Sequence, residues 1–240
     1  MTETAQRGEI RRDGLGIAAY AGALGASFGA VSVASGLGVV PTMVLSLVMF
    51  SGASQFAFIG VLGAGGSPLA AIPAALLLGV RNSFYGVPIS RILGPERLRG
   101  WRRWVNAQLV IDESTAMAVR REMPADQRYA FHVTGIAIFA LWNVGTFVGA
   151  LAGASVDPAA FGLDAAVPAA FLALLWPRLS DRRSRWVAGA GALVATALIP
   201  LVPAGVPVLA AAPVALVAGL LPLRRGSGYG PTTADEEGDP

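Results

Sequence analysis

From Gly14 to Val80 the chain runs for 67 residues without one Asp, Glu, Lys or Arg. A helix that crosses a bilayer needs roughly 20 apolar residues, so this run alone holds about three such segments. The whole chain is 54% hydrophobic and 14% charged, with a mean hydropathy of +0.60, whereas soluble domains carry about 25% charged residues. The expected fold class is an all-α integral membrane protein, a polytopic helical bundle of about 7–8 membrane segments with a broken or re-entrant helix among them. Nucleic-acid binders, disulfide scaffolds and soluble enzymes are excluded. There is no cysteine, so disulfides, thiol catalysis and cysteine-held metals are absent as well.

Breaks in the apolar runs divide the chain. Residues 1–13 form a polar segment, 14–223 a transmembrane domain, and 224–240 an acidic tail whose composition predicts disorder. The spans expected are Leu15–Leu37, Thr42–Leu62, Leu69–Ser90 and Phe131–Leu151. Ala159–Pro177 is a further apolar segment, and Trp186–Leu223 divides at Pro200, Pro203 and Pro207 into two helices. Trp104–Val119 is apolar but short, and carries Asp112 and Glu113. Basic loops, Arg91–Arg103 and Arg178–Arg185, should share the cytoplasmic side under the positive-inside rule. That requires one intervening segment not to cross, and Trp104–Val119 is the expected one. The loop with Asp157 and Asp164 would then face outward; the side of the N-terminus is left open. Glycines recurring every four residues, Gly25 and Gly29 and again Gly145, Gly149 and Gly153, predict close helix packing, within this chain or, as the alternative, at a subunit interface.

Ionisable groups at membrane depth are functional candidates because they are costly. Arg81 lies inside the third span, and Asp112 and Glu113 are candidate partners; the plain alternative is that Arg81 snorkels to the interface. Ser51-Gly-Ala-Ser-Gln-Phe56 interrupts the second span with small and polar residues that weaken a helix. A broken helix at the midplane exposes backbone groups that can hold a substrate's charged ends. Ser51, Gly52, Ser54, Gln55 and Phe56 are therefore candidate substrate-binding residues, with Met49, Phe50 and Phe58 as further apolar wall. Arg81, Asp112 and Glu113 are a candidate charge network. The bland alternative is a packing patch with Gln55 bonded to a neighbouring helix. An intramembrane protease is the other class to weigh, since Gly52-Ala-Ser54 resembles part of the rhomboid nucleophile motif and His132 is available. But Gln55 stands where that motif has Gly, and His132 lies near the start of its span. No nucleotide motif is present, so neither cofactor nor enzymatic activity is expected.

Several of these segments together resemble the AzlC-type branched-chain amino acid permeases. They are Ser51–Phe56, the Gly-Gly-Ser-Pro68 turn, Arg81 with Tyr85-Gly86, Asp112-Glu113, Trp142 with Gly145-Thr146 and Gly149-Ala150, and Gly162-Leu-Asp164 before Pro168 and Phe171. The resemblance covers roughly residues 15 to 220. It departs at Gly79-Val-Arg81-Asn82, where the family commonly has Asn-x-Arg-His, and at Ile111, where Thr is common. It implies the large subunit of a two-component secondary transporter exporting valine, leucine, isoleucine and in some cases methionine. It further implies a small hydrophobic AzlD-like membrane partner and a bacterial inner-membrane location. Export of another small neutral amino acid, or a non-transporting scaffold subunit, are the alternatives.

Overall fold

The computed structural model describes residues 3–155, 179–202 and 205–220, with Leu172, Leu175 and Trp176. Apart from those three residues, the expectations for Ala159–Pro177, for the Asp157 and Asp164 loop and for the tail fall outside the described residues. In chain order the helices are α1 (Glu3–Ala34), α2 (Val39–Val48), α3 (Gly52–Gly63) and α4 (Pro68–Leu93). After a 3-10 turn at Pro95–Leu98 come α5 (Trp101–Gln108), α6 (Asp112–Val119), α7 (Pro124–Ala154), α8 (Arg182–Leu198) and α9 (Val206–Leu220). Among the described residues α1, α4 and α7 are the three helices long and apolar enough to cross a membrane. The expected 7–8 segments are therefore not met by full-length spans there. The division expected within 186–223 is present, as α8 and α9 of 17 and 15 residues.

Helices α1 and α7 form the spine and run parallel. Gly14 packs on Thr134, Gly22 on Leu141, Gly25 on Trp142, Gly29 on Thr146 and Gly153 on Ala30. A methyl group at Gly25 would stand 2.5 Å from the Trp142 carbonyl, and one at Gly29, Gly145 or Gly149 would run into the opposing backbone. The predicted glycine ridges are thus packing within the chain, where small residues let two backbones meet.

Against this spine α2 runs downward, taking the α7 C-terminal end as the top. Ser32 and Thr42 hydroxyls lie 2.7 Å apart, the Ser46 hydroxyl donates to Thr146 Oγ1 at 3.3 Å, and the Phe50 ring meets Phe139 at 5.1 Å. The chain breaks at residues 49–51, and α3 then climbs back. Gly79 of α4 lies against Ser54, Val61 clusters with Ala71 and Ala74, and Ile89 and Leu93 at the far end of α4 pack on Phe131 near the start of α7. Helix α4 is thus antiparallel to α7, and α3 returns to the end from which α2 came. The expectation that Thr42–Leu62 crosses is corrected: it is a re-entrant hairpin.

Helices α5 and α6 form a second hairpin from the opposite end. Asn106 meets His132, Gly135 packs on Leu109, and α6 descends until Met117 joins Ile10 and Ala130 and Arg121 pairs with Glu9 at 3.5 Å. Trp104–Val119 does fail to cross, but as two helices rather than one stretch. The adjacent β-branched Val110-Ile111 are poor helix formers, and Asp112-Glu113 favour a new N-terminus. The Ser114 hydroxyl donates to the Leu109 carbonyl at 2.6 Å and accepts from the Ile111 N–H at 3.2 Å, closing the tip.

The two tips repeat one another at an offset of 60 residues. Met49 N–H donates to Leu45 O, Ser51 N–H to Met49 O and Gln55 N–H to Ser51 O; Leu109, Ile111 and Thr115 donate in the same way to Val105, Leu109 and Ile111. Helix α1 with its hairpin and α4 with its hairpin are therefore the two halves of an inverted repeat.

Candidate functional site

The tips meet at mid-depth, where the ends of α2 and α5 leave carbonyls without intrahelical partners. Gln108 Nε2 donates to Leu47 O at 2.8 Å and to Val48 O at 3.4 Å, and Gln55 Nε2 donates to Leu45 O at 3.3 Å. Beside this junction lies a cavity of about 340 Å³, within the usual range for small-molecule sites. It is lined by Ser51, Gly52 and Ala53 of the first tip, Tyr20 of α1, Arg81 of α4, and Asp112 and Glu113 of the second tip. Phe50, Phe56, Leu78, Ile111, Ile138 and Trp142 supply apolar wall.

Of the residues expected to bind substrate, Ser51, Gly52 and Phe56 line the cavity, as does Phe50 of the expected wall. Ser54 stands behind it, its hydroxyl 3.2 Å from that of Ser51. Gln55 is fully buried and turned to the end of α2, which is the packing alternative read from the sequence. Met49 and Phe58 are not among the lining residues. The break itself lies at residues 49–51; Gly52–Phe56 are the first turns of α3.

The three charged candidates lie together at the cavity. Arg81 Nη2 lies 3.4 Å from Asp112 Oδ2, with both side chains about one-third exposed, so snorkelling is set aside in favour of a carboxylate partner. Glu113 lines the same cavity, which sets two carboxylates beside one guanidinium. Both acids occupy the first turn of α6, where the helix dipole favours negative charge. The equivalent turn of α3 has no acid, and no side chain caps it. His132 is engaged elsewhere, with Nε2 3.0 Å from Asn106 Oδ1 and Nδ1 2.8 Å from the Arg128 carbonyl, so no Ser–His couple forms.

Trp142 is the site residue the sequence reading left without a role. It is buried, lines the cavity, stacks on Phe28 at 6.1 Å, and its indole N–H has no hydrogen-bond partner among the described residues. Its place among the motif residues was the available signal.

The family model of the AzlC protein matches residues 16–156, a stretch that holds both hairpins, Arg81 and Trp142. The chain belongs to the AzlC family. Among AzlC relatives, it is 28% identical to inner membrane protein YgaZ of Escherichia coli over 81% of this chain and 78% of that one. It is 31% identical to an uncharacterized membrane protein of Archaeoglobus fulgidus over 70% and 73%. A membrane protein of Haemophilus influenzae is 24% identical, and the chain spans 62% of its length. No solved structure matches this AzlC chain.

Proposed function

We propose that this AzlC protein is the large subunit of a two-component secondary transporter exporting valine, leucine and isoleucine, with methionine as a further substrate, and that it has no enzymatic activity. The observation that carries the reading is the mid-depth cavity between two half-helix tips, where Arg81, Asp112 and Glu113 face apolar walls. Binding sites of many carriers are built from discontinuous helices at this depth. A branched aliphatic side chain suits Phe50, Phe56, Ile138 and Trp142. A scaffold subunit would need no intramembrane guanidinium and no polar cavity.

The membrane is the bacterial inner membrane in this reading, in line with the name of the Escherichia coli relative. Orientation follows from charge. Residues 3–13, 91–103 and 120–128 share one end and hold eleven arginines against six acids, while the turns at 35–38 and 64–67 at the other end hold no charge. The positive-inside rule makes the arginine-rich end cytoplasmic. Gly205, immediately before α9, lies against Ala70 at the uncharged end, and Arg183 at the start of α8 bonds Ala218 near the end of α9. Arg182–Arg185 therefore fall toward the same end as Arg91–Arg103. The partner in this proposal is a small hydrophobic AzlD-like subunit. Deleting the gene for this chain should raise intracellular valine in cells fed a valine dipeptide, and expression with the small subunit should restore efflux. Unchanged valine in the deletion strain would overturn the assignment.

A further inference from the structure

The 60-residue repeat makes the two tips equivalent in backbone and opposite in chemistry. Gly52 and Ala53 open α3, and the residues 60 positions on, Asp112 and Glu113, open α6. All four line the one cavity. The α3 end presents first-turn N–H groups that no side chain caps, and such an end favours an anion. The α6 end carries its own two carboxylates, so it favours a cation. One guanidinium, Arg81, engages Asp112 at 3.4 Å, leaving Glu113 as the second acid of the cavity. Two buried donors of the site, Arg81 Nε and Trp142 Nε1, have no partner among the described residues. Trp142 is only 6% exposed, so its N–H is a cost unless a ligand accepts from it.

We infer that the cavity takes a zwitterion in one fixed polarity. Its carboxylate sits on the Gly52 and Ala53 N–H groups, and its ammonium sits at Glu113. The inference rests on the transport reading and deepens it: the ligand must carry both charges, and its two ends are read by different hairpins. The first tip would then lose nothing when the ammonium is removed from the ligand, and the second nothing when the carboxylate is removed.

The test uses membrane vesicles from cells expressing the full-length chain, with labelled valine counterflow as readout. The competitors are valine, 3-methyl-2-oxobutanoate, which lacks the ammonium, and isobutylamine, which lacks the carboxylate. On the unaltered chain each single-charge analogue should compete roughly ten- to a hundredfold less well than valine, the value of one charged hydrogen bond. Glu113→Gln should weaken valine by a similar factor and leave the oxo acid unchanged. Ala53→Pro removes one N–H from a helix first turn, where proline is tolerated; it should weaken valine and leave the amine unchanged. The reverse pattern, or either analogue matching valine on the unaltered chain, would overturn the polarity. That last comparison needs no variant, so it stands even where Ala53→Pro does not fold. Vesicles that carry no neutral amino acid would overturn the transport reading, and with it this inference. Vesicles that carry valine without discriminating the analogues would overturn the inference alone.

Discussion

Gln55 shows how a residue type can be read correctly for its polarity while its partner stays open. Its amide can serve a substrate or a neighbouring backbone, and sequence cannot choose between them. The break at residues 49–51 decides: it takes the helical donor from Ser46 O, and Gln55 Nε2 reaches that carbonyl at 3.5 Å beside Leu45 O at 3.3 Å. Gln55→Leu should therefore destabilise the protein by about 1–3 kcal/mol, the cost of a buried acceptor left unsatisfied, seen as a lowered Tm in detergent. An unchanged Tm with lost efflux would return Gln55 to the substrate. Arg81 and Asp112 were legible as a pair of types because intramembrane charges demand partners; what sequence left open was which of two adjacent acids faces the guanidinium. Removing one member of a fully buried pair costs about 3–5 kcal/mol, and partial exposure of these side chains puts this pair below that. Arg81→Ala should lower membrane protein level, and Arg81→Ala with Asp112→Ala should recover more of it than Arg81→Ala with Glu113→Ala. Equal recovery by the two double variants would mean that Asp112 is not the specific partner.

Hydropathy recognises a membrane-buried segment but not its direction of travel. Thr42–Leu62 is 21 residues long, the length of a crossing helix, and a hairpin of α2 and α3 has the same composition. Trp104–Val119 was distinguishable only because it is short and bears two acids. The hairpins make a sharp topological expectation, testable in a chain with no native cysteine. Gly38→Cys and Ala64→Cys should react alike with an impermeant thiol reagent added outside, and Glu96→Cys and Glu122→Cys should both be protected. Opposite behaviour within either pair would mean that its hairpin crosses. The spine gives a second contrast. Gly149→Ala should fail to accumulate folded protein, because the methyl meets the backbone at Ala26, whereas Gly16, with nothing within 4 Å, should tolerate alanine and gain about 0.5–1 kcal/mol in Tm measurements. The i, i+4 glycine spacing predicted such a seam; the parallel direction of its two helices needed the contacts.

At the scale of the molecule, the repeat stayed hidden because its halves share backbone pattern rather than residues: Gly52-Ala53 answers to Asp112-Glu113. Inverted halves around a mid-depth site are a basis for alternating access, in which one element rocks against the other. One contact between the halves that would have to change is the tip junction, where Gln108 donates to Leu47 and Val48. Packed elements tend to have discrete arrangements rather than deform continuously, so the junction should break and re-form during transport. Holding it shut should then stop turnover without emptying the site. In Val48→Cys with Gln108→Cys, valine efflux is measured before and after a short bismaleimide links the tips. The linked protein should lose efflux while still binding labelled valine, and each single-cysteine variant should keep its efflux after the same treatment. The loss must follow the link itself, since the cysteines alone already lack the Gln108 hydrogen bonds. A linked protein that exports at its unlinked rate would show that the hairpins move as one body, and the moving boundary would then have to lie between the joined tips and the α1–α7 spine.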